Sequence, residues 1–306
     1  MSDDSGLPWT DEQWAMVQRL VQESARKARI ASSFLPLVGP LPDGQAWVPK
    51  LDMGEYTITD NHPQRGEAPQ RLEVDDRQTL QLTTIACTVY LRAQQAEDPE
   101  LASAKQMLGR AADLIGRLED AIVFNGQPQP PEIPRRPDGE PWVVPEVYTV
   151  RNGEKHRGLL THKRRLIETF RWEDDEENIV GVVVDAIQAL ERNGHYGPFA
   201  CVLGHELYRA ATTPSRGSLV LPSDRIIPFL DGGPLRRSSV VASKEGVVVA
   251  LAGSPIDLVV ASDVQVSYVQ LTLEPRYVLR VSERFVLRMK QPDAACHLQP
   301  KPATQL

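Results

Sequence analysis

Leu118-Glu119-Asp120-Ala121-Ile122-Val123-Phe124-Asn125-Gly126 closes the longest amphipathic helix that this sequence predicts. Asp98 is a suitable N-cap and Pro99 a suitable first residue, so the helix is expected to run from there to about Phe124. Its apolar residues recur at steps of three and four and form one seam of about six turns: Leu101, Ala104, Leu108, Ala111, Ile115, Leu118 and Ile122. A long helix with a single apolar seam is expected to pack on a sheet.

A second helix is predicted upstream, close to the N-terminus. Thr10 and Gln13 have the spacing of a capping box, and Trp9 and Trp14 are placed for a hydrophobic staple. The residues that follow place an apolar stripe along this helix: Trp14, Val17, Val21, Ala25 and Ala28. Gly39-Pro40 ends the segment after it.

Two segments have little core of their own. Residues 52–82 are polar, with short alternating stretches around a turn, and predict a long two-stranded arm. An isolated hairpin buries too little apolar surface to be stable, so the arm requires a partner. Residues 127–157 are rich in proline and predict an extended surface insertion. Its apolar patch, Trp142-Val143-Val144, is expected to pack on a neighbouring subunit or on the chain's own surface.

The C-terminal half begins with an acidic run, residues 173–177, ahead of a helix that Asn193-Gly194 closes. Carboxylates at a helix start complement the helix dipole, which we favour over a metal site. Strands dominate from Phe199 onward: Phe199–Leu203, Val240–Ala242, Val247–Leu251, Leu258–Ala261, Val264–Val269 and Arg276–Met289. Because helices and strands are segregated along the chain, the fold class is α+β.

No catalytic or cofactor motif is present, so we predict neither an enzyme nor a cofactor or metal site. The cysteines, Cys87, Cys201 and Cys296, form no CxxC pair, which indicates a reducing compartment. Arg280, Arg284 and Arg288 share one face of the last strand. This stripe is either a phosphate-binding surface or a strand face paired with acidic neighbours, and we favour the second.

Composition limits the partners. The net charge of −7 and the pI near 5.5 give no general attraction to nucleic acid or to an anionic membrane. No apolar run approaches the roughly 18 residues of a membrane helix, and the acidic N-terminus is not a signal peptide. The sequence therefore predicts a cytoplasmic protein without a nucleic-acid or membrane partner.

Three further blocks stand beside the helix ending quoted above: Tyr196-Gly197-Pro198-Phe199, Asp263-Val264-Gln265-Val266-Ser267-Tyr268 and Val281-Ser282-Glu283-Arg284-Phe285. In this order and combination they resemble the encapsulins, nanocompartment shell proteins of bacteria and archaea that share the tailed-phage major capsid fold. The resemblance covers residues 8–298. It implies a self-assembling icosahedral shell protein that encloses cargo proteins.

The resemblance also implies a division of the chain. Residues 1–51, 83–175 and 256–306 would form a peripheral domain with the N-terminal helix and the long spine helix. Residues 52–82 would be an extension arm lying across a neighbouring subunit, residues 127–157 an insertion, and residues 176–255 an axial domain. The partners would be further copies of this chain and a cargo protein.

Two sites follow from the resemblance. A short terminal targeting peptide of the cargo would dock between the N-terminal helix and a late strand, on Trp14, Val17, Leu20, Val21, Val264, Val266 and Tyr268. The other interpretation is that this stripe belongs to the chain's own core. Ser215, Arg216 and Gly217, within the loop Thr212–Pro222, would line a pore at an axis of the shell.

Two other functions remain possible at this stage. The first is a prophage-derived major capsid protein, and the second is an enzyme with an unrecognised site. Electron microscopy of the purified chain separates them, since the three predict shells holding protein, shells holding nucleic acid, and small particles.

Overall fold

The computed structural model describes residues 6–53, 74, 76–127, 148–153, 156–171, 179–214 and 220–301. The helices in these ranges are α1 (Asp11–Ala28), α2 (Ala93–Ala96), α3 (Ala102–Asn125), α4 (Ile179–Arg192), α5 (His205–Thr212) and α6 (Pro222–Ile226). The strands are β1 (Leu37–Val38), β2 (Trp47–Pro49), β3 (Thr79–Gln81), β4 (Thr83–Arg92), β5 (Tyr148–Arg151), β6 (Leu166–Phe170), β7 (Phe199–Leu203), β8 (Leu235–Arg237), β9 (Gly246–Ala250), β10 (Ile256–Leu271), β11 (Arg276–Met289) and β12 (Ala295–Pro300).

Two five-stranded sheets organise these elements. The first has the order β1-β10-β11-β4-β5 and packs against α1 and α3. The second has the order β6-β12-β9-β7-β8 and packs against α4 and α5, with α6 beside those two helices. One continuous apolar core runs through both layers. The segregation of helices and strands that the sequence predicts is therefore present, and the α+β class is confirmed.

The end of α3 is held by close backbone contacts. Phe124 is fully buried. The Asn125 side-chain amide donates a hydrogen bond of 2.9 Å to the Val240 carbonyl. Gly126 has φ of +83°, and a Cβ there would lie 2.7 Å from the His156 carbonyl oxygen, so no larger residue fits. Asn125 and Gly126 thus fix the C-terminal end of α3 against the segments around Val240 and His156.

The start of α1 has the predicted capping box. The Thr10 hydroxyl accepts a hydrogen bond from the Gln13 backbone, and the Gln13 side chain accepts one from the Thr10 backbone. The rings of Trp9 and Trp14 lie 5.3 Å apart, and the Trp9 indole N–H donates to the Ala96 carbonyl. The N-terminal turn is therefore fixed both to itself and to α2.

Helices α1 and α3 approach closely at Gly116. An added Cβ would lie 3.0 Å from the Ala25 carbonyl oxygen and 3.0 Å from the Ala28 Cβ. At Gly109, two turns earlier, an added Cβ would meet the Ser24 hydroxyl at an ordinary 3.6 Å. The backbones are thus closest near the C-terminus of α1.

Some predicted boundaries were wrong. Helix α3 begins at Ala102 because Leu101 takes a left-handed conformation, with φ of +50°. Asp98 still caps the helix, since its carboxylate accepts from the Ala102 backbone at 3.0 Å. The two strands predicted at 258–261 and 264–269 are one strand, β10, with register shifts within it. Val240–Ala242 is not a strand, and Leu235–Arg237 forms the sheet edge instead.

The predicted division of the chain differs from the sheet pairing at two strands. Residues 83–175 and 256–306 were assigned to the peripheral domain, but β6 and β12 pair with each other, and β12 also pairs with β9. Both strands therefore belong to the second sheet, with most of residues 176–255. The remaining elements of the predicted peripheral domain pack around the first sheet.

Three predicted features fall largely or wholly outside the described residues: the central part of the arm, the insertion with Trp142-Val143-Val144, and the acidic run 173–177. At the base of the arm, β2 and β3 pair antiparallel. Val48 packs there with Leu82 and with Val259 of β10 in a small second core. The base of the arm is thus anchored on the first sheet.

Candidate functional site

Helix α1 lies along the edge of β10 that β1 leaves open. β1 pairs with β10 only at Leu258 and Val259. Beyond them, the Gln18 side-chain amide donates to the Val264 carbonyl at 3.2 Å and accepts from the Val266 backbone at 3.0 Å. A side chain thus takes the place of a neighbouring strand, because unpaired strand edges otherwise leave backbone groups unsatisfied.

Three contacts give the direction of this packing. Arg29, after the end of α1, pairs with Asp263 at 2.9 Å. Gln18 contacts the next residues of β10, and a Cβ on Gly6 would lie 3.5 Å from the Tyr268 hydroxyl. The N-terminal segment and α1 therefore pass β10 in the direction opposite to that strand.

The structure separates the predicted docking residues into two groups. Val17, Val21 and Val264 are fully buried in the chain's own core, so as they lie they offer no surface to a bound peptide. This corrects the prediction for these three residues, because packing between α1, α3 and β10 already fills the space around them. The others keep some exposed surface: Val266 at 7%, and Trp14, Leu20 and Tyr268 as half-buried side chains. We call these four residues the α1–β10 groove.

The chain's own N-terminal segment reaches this groove. Leu7 precedes α1 in irregular backbone, yet only 7% of it is exposed and it belongs to the main core. Gly6 lies against the Tyr268 ring, as the contact above indicates. Part of the face beside Tyr268 is therefore covered by Gly6, and the neighbouring Leu7 is fixed in the core.

A buried ionic cluster fixes the opposite end of α1. The Arg29 guanidinium contacts the carboxylates of Glu119 at 2.5 Å, Glu283 at 2.6 Å and Asp263 at 2.9 Å. Glu119 and Glu283 have no exposed side-chain surface. One cation thus joins the end of α1 to α3, β10 and β11. We call these four residues the Arg29 cluster.

The cluster carries more carboxylates than cations, which shifts its titration. Burial would lower the pKa of Arg29, but Glu119 and Glu283 more than offset this and raise it. Burial raises the pKa of Glu119 and, with the charge of Glu119 beside it, raises that of Glu283 well above its usual range. Two carboxyl groups that meet in an apolar site are expected to retain a proton between them.

Asp120, next to Glu119, holds the turn after α1. Its carboxylate accepts hydrogen bonds from the backbone of Ile30 and of Ala31 at 2.8–3.0 Å. Burial raises the pKa of Asp120 to about 8, although the Ala31 N–H opposes that shift.

The roles of Glu119 and Asp120 were not predicted from the sequence. The available signal was their position: Glu119 stands four residues after Ile115, beside the apolar seam, where a charged residue needs a buried partner.

The arginine stripe of β11 divides between three environments. Arg288 is buried and makes two hydrogen bonds to Asp257, at 2.9 and 2.8 Å, which confirms the ion-pair interpretation for this residue. Arg284 donates to the Gln45 carbonyl. Arg280 is exposed. The described contacts thus use two of the three arginines for structure.

The remaining predicted sites add little within the described ranges. Ser215, Arg216 and Gly217 of the predicted pore lie outside them. No group of three or more His, Cys, Asp or Glu residues in the described part of the chain is arranged to hold a metal ion. No helix described there is long and apolar enough to span a membrane. Cys87, Cys201 and Cys296 are buried free thiols, and burial raises the pKa of Cys201 and of Cys296 to about 12.

The fold is similar to those of solved capsid-like particles. The virus-like particle protein of Pyrococcus furiosus superimposes with a TM-score of 0.64 at 14% identity, covering 94% of this chain and 99% of that one. The capsid protein of Myoviridae phage XM1 gives a TM-score of 0.58 at 15% identity, covering 86% and 88%. The chain thus has the fold of the phage major capsid proteins, and the predicted fold is confirmed.

Sequence comparison finds relatives among the shell proteins with this fold. The model of the family described as "encapsulating protein for peroxidase" matches residues 146–286. The type 1 encapsulin shell protein EncA of Myxococcus xanthus is 25% identical, over 97% of this chain and 96% of that protein. With the fold, these matches show that the chain is similar to encapsulin shell proteins over almost its whole length.

Proposed function

We propose that shells of this protein enclose other proteins in the cytoplasm, and that the shell subunit itself carries no catalytic site. The observation that carries the proposal is the match to an encapsulin shell protein over almost the whole length of both chains. A container for a genome and a container for proteins share this fold, so the fold alone does not choose between them.

We further propose that cargo binds through a short peptide at the α1–β10 groove. Trp14, Leu20 and Tyr268 supply half-buried apolar surface beside the strand edge that Gln18 covers. Burying two or three apolar side chains of a peptide there would contribute about 1.5–3 kcal/mol each before ordering costs. Val17, Val21 and Val264 are fully buried beneath these side chains and hold α1 and β10 together.

The experiment is to purify shells from the native host, treat them with protease and nuclease, and analyse what remains inside. We expect closed particles in negative stain that retain intact protein and absorb as protein. Particles filled with nucleic acid would instead support the phage-capsid alternative. Small soluble particles would contradict the shell function altogether.

A pair of variants tests the groove. Tyr268→Asp places a charge in it, whereas Ala15→Asp places the same charge on the exposed face of α1. We expect both variants to form shells and only Tyr268→Asp to lose the protected protein. Shells of Tyr268→Asp that retain their full content would move the docking site elsewhere without affecting the enclosure proposal.

A further inference from the structure

The turn between β10 and β11 presents apolar side chains to solvent. Leu273 at its apex is fully exposed, with 108% relative accessibility. Leu271 and Tyr90, which lie beside the turn, are each about half exposed. Isolated exposed leucines are ordinary on protein surfaces, but a contiguous apolar group at a projecting tip indicates a contact surface.

The turn is held in place by its own hydrogen bonds. The Thr272 backbone donates to the Arg276 carbonyl at 3.0 Å, and the Arg276 backbone donates to the Thr272 hydroxyl at 3.3 Å. The Thr272 hydroxyl also donates to the Glu274 carbonyl. These bonds hold Leu273 away from the chain's own surface. A turn without them would let the side chain fold back onto that surface.

A cleft lies directly beside this projecting leucine. It has a volume of about 530 Å³ and is lined by Tyr90, Gln270, Leu271, Thr272, Leu273, Glu274 and Arg276. That volume lies within the range of small-molecule pockets and is ample for one apolar side chain. The hairpin tip thus carries an apolar knob and an apolar recess side by side.

We infer that the tip of the β10–β11 hairpin is a subunit–subunit contact, in which Leu273 of one copy inserts into the Tyr90–Leu271 cleft of the next. An interface made of two different, adjacent patches joins copies head to tail and closes into a ring where the rotation between copies permits, as it does around the symmetry axes of a capsid-like particle. A second copy of this chain is therefore the occupant that the geometry favours.

The charges at the tip agree with that occupant. Glu274 is largely exposed and pairs within its own chain with Arg276 at 3.2 Å. The strand register places Arg92 of β4 opposite Arg276. Among the described residues Arg92 forms no ion pair, so Glu274 of an incoming copy finds a second guanidinium beside the cleft.

Leu273→Asp tests the inference. Because Leu273 is fully exposed, the variant is expected to fold with an unchanged circular dichroism spectrum. We expect at least about a tenfold loss of megadalton particle at equal concentration in size-exclusion chromatography, since the buried leucine is lost and a charge enters an apolar cleft. Ser267→Asp, at an exposed position of β10 away from the cleft, is the control and should assemble. Normal assembly of Leu273→Asp would overturn the inference.

Cysteine crosslinking provides a second test that introduces no charge into the contact. Tagged Leu273→Cys subunits are assembled together with untagged Tyr90→Cys subunits and oxidised. The native cysteines are buried, so the introduced thiols are the reactive ones. A covalent dimer of tagged and untagged chains is expected. Its absence from assembled, oxidised mixed shells would contradict the contact.

Discussion

Arg29 shows how one residue can hold four elements together. It follows the last residue of α1 and contacts carboxylates of α3, β10 and β11. Removing one member of such a group leaves a buried charge unpaired, which destabilises by more than the interaction itself contributes. The cluster therefore fixes the end of α1 both to the helix α3 and to the first sheet.

The first prediction concerns pH. The pKa values of Glu119, Glu283 and Asp120 are raised by burial, that of Asp120 to about 8. Each folded pKa lies above its unfolded value of about 4, so in the window between the two values the folded chain binds more protons than the unfolded chain. The contribution of these groups to stability is therefore present at acidic pH and is lost as pH rises through that window.

Glu283→Gln tests this prediction, because it removes one charge and keeps the shape. We expect the melting temperature of the wild type to fall more between pH 5 and pH 8 than that of the variant. Glu23→Gln, on the exposed face of α1, is the control and should keep the wild-type slope. Equal slopes for Glu283→Gln and the wild type would show that the cluster does not titrate in this range. His156 and His162, whose pKa values burial lowers, act in the opposite sense in both proteins and cancel in the comparison.

Local residue patterns were predictable, and the ionic cluster was not. Thr10 and Gln13 are three positions apart, so their capping box depends on local backbone alone. Arg29, Glu119 and Glu283 meet only after the sheet and both helices are in place. A sequence without its fold gives charge positions but no pairing between such distant residues.

At the scale of elements, two glycines of α3 differ in how closely they approach α1. Gly116 is where the helix backbones meet, whereas Gly109 faces open space apart from Ser24. Both lie inside a helix, where glycine is disfavoured relative to alanine by about 1 kcal/mol.

The second prediction is that alanine has opposite effects at these positions. Gly109→Ala should raise the melting temperature by about 2–4 °C, since it gains helix propensity without a clash. Gly116→Ala should lower it, because overpacking against the Ala25 carbonyl destabilises by about 1–3 kcal/mol. Differential scanning fluorimetry of the two variants measures the contrast. A rise of equal size at both positions would mean that the helices can separate without loss.

The elements themselves were largely predictable from periodicity, but their edges were not. The seam of α3 and the strands of the last hundred residues follow from apolar spacing. The start at Ala102 depends on a left-handed Leu101, and the fusion of two predicted strands into β10 depends on pairing with β11. Both are set by tertiary contacts, which override local preference.

At the scale of the whole molecule, the two sheets share one core, and the described base of the arm is anchored on the first sheet. Val48 and Leu82 tie that base to Val259 on the first sheet. The rest of the arm lies outside the described residues, and its contact with a neighbouring copy stays a prediction from its lack of a core.

The third prediction is that the arm is required for assembly. Replacing residues 55–78 by a glycine–serine linker of equal length removes its side chains and keeps the chain connected. We expect free, folded subunits or malformed aggregates in size-exclusion chromatography and negative stain. A shorter control linker that replaces only residues 60–63 should preserve the shells. Intact shells after the full replacement would refute the predicted role of the arm.

The segment ahead of α1 sets a condition on any ligand of the neighbouring groove. Leu7 is buried and Gly6 lies on Tyr268, so a cargo tail that binds there must exchange with residues the chain already holds in place. The measured binding free energy of such a tail is then the difference between its own binding free energy and that of the chain's N-terminal segment. The cargo tail and this segment compete for the same surface. Because Trp9 packs against Trp14 with the ring planes 48° apart and donates to the Ala96 carbonyl, release of this segment is expected to expose an indole to water. Under the proposed docking, tryptophan emission is expected to report how many subunits have released this segment to a bound cargo peptide.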